Sequence, residues 1–585
     1  MTSNNQGDQA VLPPTPNNPN PVDFGPNVII FDPSMDVGSI QSRVNDILTQ
    51  QKPNQFGEAR YAFFFKPGSY NNLNVEIGYY TTVHGLGHSP DEVTITGGGV
   101  QSGGIPPNGL ALNNFWRGVE NLAVHPTNDG QPQTPKNLNI NLWAVSQATY
   151  MRRVHVKGVL FLSDFHYDGT GGNYSSGGFL ADSLVDTSVI SRTQQQWMSR
   201  NTNVAEWPEG VWNMVFVGCE NTPSGPWPQR PYTVVNTTPL IREKPYLVID
   251  KDGKYSVRVP HLRRDSKGPS WSGSNEAVTS LPINQFYIAH SNRDNADTLN
   301  AALQQGHHLI LTPGIYRLDK TLHVRHPNKV ILGLGMATLT PTTGTPIMKV
   351  ADVPGISLSG IIFDAGPTNS PILLEVGQPG SSADHSTNPI ALFDIVGRVG
   401  GPSVASATVC LTINSHHVLL DNVWLWRADH AEKSEYVGWD TNPCQNGLIV
   451  NGNDMTAYGL FVEHFLQYQT IWNGERGSTY MYQSEIPYDV PSQDRWMQNG
   501  EKGYPSYKIS NNVTTHTGRG MGIYCNFLKD GVQLDNAIET PNASGIDLQH
   551  LITVWLDGKP WTGINHIVNG RGGAVLNRQP MTATL

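Results

Sequence analysis

The chain reads as an all-β protein: two tandem right-handed parallel β-helices of the pectate-lyase-like solenoid type, with short capping helices. Three observations carry that expectation. A segment near the start of the chain returns in its middle, the apolar runs are short and closely spaced, and those runs do not strictly alternate with polar residues. The repeat is explicit. Phe63 to Tyr70 and His308 to Tyr316 each form an apolar run broken by Pro-Gly and closed by Tyr. Pro67 and Pro313 are 246 positions apart, and Gly85-Leu86-Gly87 returns as Gly333-Leu334-Gly335 after 248. Two copies of one architecture imply an interface between them, and such an interface is a natural place for a ligand pocket.

Taken in order, residues 1–25 read as a disordered leader, with no basic region followed by an apolar one and hence no signal peptide. The N-terminal β-helix is expected over 26–220. A helix-like stretch, Ile40 to Gln50, precedes the first Pro-Gly and fits a capping helix. Short strands follow at Val93–Ile95, Val154–Val156, Val185–Ile190 and Val215–Val217, with Gly, Asn or Asp in nearly every gap. Residues 221–285 change texture to Pro, Trp and Tyr, and read as a linker with a hairpin around Asp250–Gly253. The C-terminal β-helix is expected over 286–585, capped by Asp297 to Gln305. Its strands start near 448, 460, 471 and 481, so two steps make a period near 22. A meandering antiparallel sandwich also spaces its strands by about 8–12 residues. Non-alternating runs and the scarcity of Asn-Gly hairpin turns favour the parallel coil.

Composition narrows the function. Charged residues make up 15% of the chain and the net charge is -10, so the surface is rich in Asn, Gln, Ser and Thr, which suits neutral hydroxylated ligands. No basic stripe points to nucleic acid, and no apolar run approaches the ~18 residues of a membrane span. The four cysteines show no metal-ligand spacing; Cys410 and Cys444 fit either a disulfide or two buried thiols. His416-His417 lacks a third ligand, so no metal and no cofactor are expected.

The pointed chemistry lies in the second half, at Gly459 to His464 and Tyr482 to Asp489. Glu463 and Glu485 are 22 apart, one expected coil, which stacks them on one face of the solenoid. Strands in a sheet are about 4.7–4.9 Å apart, and like charges held that close raise the pKa of one acid. A proton donor beside a second carboxylate is what glycosidic-bond hydrolysis requires. Two solvated surface acids would share the same spacing. In the first half, Gln194 and Gln196 fall on one side of a strand, with Gln195 opposite. They suit holding a water or sugar hydroxyls, or stacking as a glutamine ladder. Trp472, Trp439, Tyr482, Tyr488 and Trp197 stand among the aromatics expected to hold sugar rings. Trp426-Arg427-Ala428-Asp429-His430 reads chiefly as a structural ion pair.

These tracts (Gln194 to Trp197, Gly459 to His464, Tyr482 to Asp489) resemble glycoside hydrolase family 55, across most of residues 25–575. The resemblance implies an exo-acting β-1,3-glucanase with its active site between two β-helices. It implies that Glu485 is the general acid, and that Glu463, Gln194 and Gln196 position the attacking water in an inverting reaction. Glutamates at strand spacing suit the ~5–5.5 Å separation of retaining enzymes, whereas inversion needs ~6.5–9.5 Å. Water held by glutamines of the other half reconciles the two. The expected partner is β-1,3-glucan, and the protein is expected to act as a secreted monomer. A hydrolase or lyase on another polysaccharide, and a non-catalytic glycan-binding solenoid, are the alternatives.

Overall fold

The computed structural model describes residues 22–104, 109–127, 139–164, 173–273, 276–576 and 580–585. Most of the leader expected at 1–25 lies outside them. Among the described residues no helix is long and apolar enough to cross a membrane.

The architecture is two tandem parallel β-helices. In the first half, Val28–Phe31, Tyr61–Phe65, Thr81–Gly85, Arg117–Pro126 and Thr149–Val156 pair in parallel, one coil after another. In the second, two parallel sheets run the length of the solenoid, one through Leu419–Arg427, Thr456–Glu463 and Gly477–Glu485. Each half encloses its own apolar core.

The repeated sequence signature has one physical cause in both places. The Tyr70 hydroxyl donates to the carbonyls of Phe31 (3.0 Å) and Lys66 (2.9 Å). The Tyr316 hydroxyl donates to those of Ala289 (2.8 Å) and Thr312 (3.1 Å). In each half the tyrosine closes the Pro-Gly turn onto the end of the first strand. The paired glycines are forced by close approach. A Cβ at Gly85 would sit 2.0 Å from the Asn121 carbonyl oxygen, and one at Gly333 would sit 2.4 Å from that of Gly360. The capping helices are α1 (Val37–Gln51) and α2 (Ala296–Gln304). They start alike: the Asp36 carboxylate accepts from Ser39 N (2.8 Å) and the Asn295 amide oxygen from Thr298 N (3.0 Å). Each buries one apolar face, Ile40, Val44 and Ile47 in α1 and Leu299, Ala302 and Leu303 in α2.

Two expectations are adjusted, and for the cysteines one of the two alternatives holds. The parallel sheet of the first half continues through Tyr232–Val235, beyond 220, because Asn213–Val217 still offers an open edge there. The period near 22 is local: Ala457 pairs with Thr479, 22 on, but Thr479 pairs with Gly518, 39 on. Loops between sheets absorb the extra residues; the short hairpin Met497–Lys502 is one of them. All four cysteines are free and buried. The expected hairpin forms, with Tyr246–Ile249 antiparallel to Tyr255–Pro260. Its apolar side packs on Phe64 and Leu86 of the first half and on Ile310 and Leu332 of the second.

A buried ionic seam joins the halves. Arg152 donates to Asp394 (2.8 Å) and Asp421 (2.6 Å), and Arg200 donates to Asp421 (2.8 Å) and Glu243 (2.7 Å). Beside it, Phe115 and Trp116 of the first half pack on Trp424 and Trp426 of the second.

Candidate active site

A cavity of about 590 Å³ opens between the two halves, within the usual size of ligand pockets. Its acidic wall comes from two neighbouring coils. Leu460 pairs with Tyr482 and Phe461 with Gln483, so Glu463 and Glu485 occupy matching positions. On these strands Phe461, Glu463, Gln483 and Glu485 face outward, whereas Leu460, Val462 and Tyr482 face the core, as the two-residue period of a strand requires.

Glu463 lines the cavity but is almost wholly buried. Its Oε1 accepts from Gln147 Nε2 (2.9 Å) across the interface, and its Oε2 accepts from Trp424 Nε1 (2.8 Å). Glu485 reaches further out, with 15% of its side chain exposed. One of its oxygens accepts from the Tyr488 hydroxyl, the other from Gln483 Nε2 (3.3 Å). Burial, and then the Glu485 charge, push the Glu463 carboxyl well above the usual carboxylate range. Burial also raises Glu485, against the pull of His464 and the Tyr488 hydrogen bond. Tyr488 is itself raised, by burial and then by Glu485, so it stays a phenol and donates. Both carboxyls are thus raised, chiefly by burial, and Glu463 is raised further by the charge of its neighbour.

Behind the pair, His464 Nδ1 donates to the Ile486 carbonyl (3.3 Å), leaving Nε2 facing Glu485 (3.7 Å) and Asp429 (3.8 Å). Burial pushes Asp429 up, but His464 and His430 outweigh it and hold the carboxyl low. Arg427 grips Asp489 through two bonds (3.0 and 2.7 Å) and fixes the loop that carries Tyr488. The tract Trp426 to His430 is thus partly structural, through Arg427, and partly cavity wall, through Trp426, Asp429 and His430.

Several expected site residues lie elsewhere. Gln194 is fully buried and pins a turn: it accepts from Gly177 N (2.6 Å) and donates to the carbonyls of Val145 (3.1 Å) and Gly177 (3.2 Å). It forms an isolated parallel bridge with Ser175 ahead of strand Gln196–Arg200, and Gln195 faces the cavity instead. Gln196 stands one layer back, donating to Ser176 Oγ (3.1 Å), which does line the cavity. Trp472 and Tyr482 are core residues of the second solenoid and Trp197 of the first; inward-facing strand positions leave them no surface for a sugar. Trp439 packs at the edge of the second core, off the cavity wall. Of the five expected aromatics, Tyr488 lines the cavity. Trp212 and Tyr174, each between strands of the first half, also reach it, as do Gln147 and Ser176. No local motif marks Gln147: its bond to Glu463 spans 316 positions.

Coupled carboxyls in an amide- and aromatic-walled pocket, carried on tandem β-helices, define a glycoside hydrolase. The comparisons agree with that class. The model of the LAM55 pectate lyase-like domain matches residues 286–485. An exo-beta-1,3-glucanase of Streptomyces sp. (strain SirexAA-E / ActE) is 44% identical over 552 residues, covering 94% of this chain and 87% of that protein. The solved structure of sacteLam55A from Streptomyces sp. SirexAA-E superposes with a TM-score of 0.89 at 41% identity, covering 96% of this chain and 98% of that one. A variant of sacteLam55A in complex with glucose matches equally well. The chain belongs to glycoside hydrolase family 55, the laminarinase family.

Proposed function

We propose that the protein removes glucose from the non-reducing end of β-1,3-glucan by inversion, in the cavity between its two β-helices. The observation that carries this is the carboxyl pair: both line the cavity, Glu485 reaching further out and Glu463 held by a donor from each half. The proton is assigned to Glu485 because it is the carboxyl that reaches further into the cavity, and Glu463 is given the task of serving the water. Glu485 then protonates the departing glycosidic oxygen. A water held against Glu463, Gln147 and Ser176 attacks the anomeric carbon from the opposite side and gives its proton to Glu463. The relatives support the substrate: one is an exo-beta-1,3-glucanase, and a related structure contains glucose. Action on an external polymer fits a secreted protein, and one chain supplies both cavity walls, which fits a monomer.

Glucose release from laminarin by wild type and Glu485→Gln tests the reading. A positioned general acid contributes about a hundred- to ten-thousandfold, so the variant is expected to lose at least that lower factor. Normal turnover in Glu485→Gln overturns the assignment. Proton NMR of the first-formed anomer is expected to show α-glucose; β-glucose would overturn inversion.

A further inference from the structure

A second cavity, of about 630 Å³, lies away from the carboxyl pair, where the linker meets the second solenoid. Arg242, which follows strand Thr238–Ile241, lines it and is only 7% exposed. Elsewhere the buried guanidinium groups are answered. Arg152, Arg200 and Arg398 meet carboxylates, while Arg60 and Arg117 bond to carbonyls and lie against the rings of Tyr80 and Tyr79. Arg242 has neither. It donates to the Asn388 side-chain oxygen and, at 3.5 Å, to the Pro389 carbonyl, and its buried Nε has no partner. Burial alone lowers its pKa, to about 10, with no carboxylate acting against it.

A guanidinium carries five donors in a planar fork that matches carboxylate or phosphate oxygens, and a buried one without an opposite charge is costly. The rest of the cavity is built for a polyhydroxylated body. Asn328 and Asn388 are bonded to each other (2.8 Å), and His261 to Thr279 (2.9 Å), while Leu281 and Val330 give it an apolar face. We propose that this cavity binds a small sugar-sized organic anion, whose oxyanion group pairs with Arg242.

Isothermal titration of the full-length protein with glucuronate, glucose 6-phosphate and inorganic phosphate tests this, with Arg242→Gln and Arg242→Lys as variants. The expected result is saturable millimolar or tighter binding of at least one of the three to wild type. It should weaken at least tenfold in Arg242→Gln and less in Arg242→Lys, which keeps the charge but not the fork. Laminarin turnover should stay within twofold in both variants. Binding of glucuronate alone assigns a carboxylated ligand; binding of both phosphates assigns a phosphorylated one. Absence of binding by all three anions overturns the proposal, and so does binding that neither variant weakens. Should Arg242→Gln not fold, the Arg242→Lys titration decides alone.

Discussion

At the residue scale, the proposed reaction rests on how long Glu485 keeps its proton. Burial raises its pKa and His464 and Tyr488 oppose that rise, so deleting either opponent leaves burial less checked. A general acid works while protonated, and activity falls as pH climbs through its pKa. His464→Asn and Tyr488→Phe are each expected to move the alkaline limb of the kcat/KM profile on laminarin to higher pH. A limb that stays in place or moves down in both variants would show that Glu485 does not set it. The Glu463 and Glu485 pair was legible in the sequence because a 22-residue step is one coil, and a coil places equivalent residues side by side. The glutamine assignment was less legible. Gln194 lies at an isolated bridge outside the continuous strand that begins at Gln196, where its side chain is spent on backbone groups of neighbouring coils. Tyr482 could have been excluded from sequence alone, since it stands three positions from Glu485 and therefore faces the other way.

At the element scale, the strands that face the first half share a device. Asp394, Asn422, Gly459, Met481 and Gly520 all take a left-handed backbone conformation, with φ between 52° and 66°. Pairing resumes on both sides: Asp421 pairs with Tyr458 and Val423 with Leu460, so the kink passes from coil to coil without a change of register. At Gly459 the kink lets the backbone approach Phe179 of the first half, where a Cβ would sit 2.9 Å from the ring. Gly459→Ala meets both that contact and the left-handed penalty of about 1–2 kcal/mol. The expected loss of stability by urea unfolding is of that size or greater, and an unchanged midpoint would refute the close approach. The capping helices and most strand positions were readable locally, from an apolar stripe or a short apolar run. Coil lengths were not, because an insertion between sheets leaves the strand pattern intact, as the 39-residue step after Thr479 shows.

At the scale of the whole molecule, the cavity exists only while the halves stay in register. Asp421 is fully buried and takes both Arg152 and Arg200 of the first half. Breaking a buried pair by removing one partner typically costs about 3–5 kcal/mol, because the remaining charges stay buried. Asp421→Asn is expected to lose about that much stability in denaturant unfolding. Laminarin activity should fall with it, since the same seam aligns Gln147 with Glu463. A loss no larger than the ~1 kcal/mol of an exposed pair would mean that the seam is dispensable. The sequence by itself determined the duplicated solenoid, its capping helices and the carboxyl pair. All three rest on periodicity and local turn chemistry, which act over a few residues or one coil. Tertiary structure alone decided which amides and aromatic rings face the carboxyl pair. Gln147 and Glu463 meet across 316 positions of chain, through the packing of one half on the other, and no local pattern encodes a contact between two separately coiled cores.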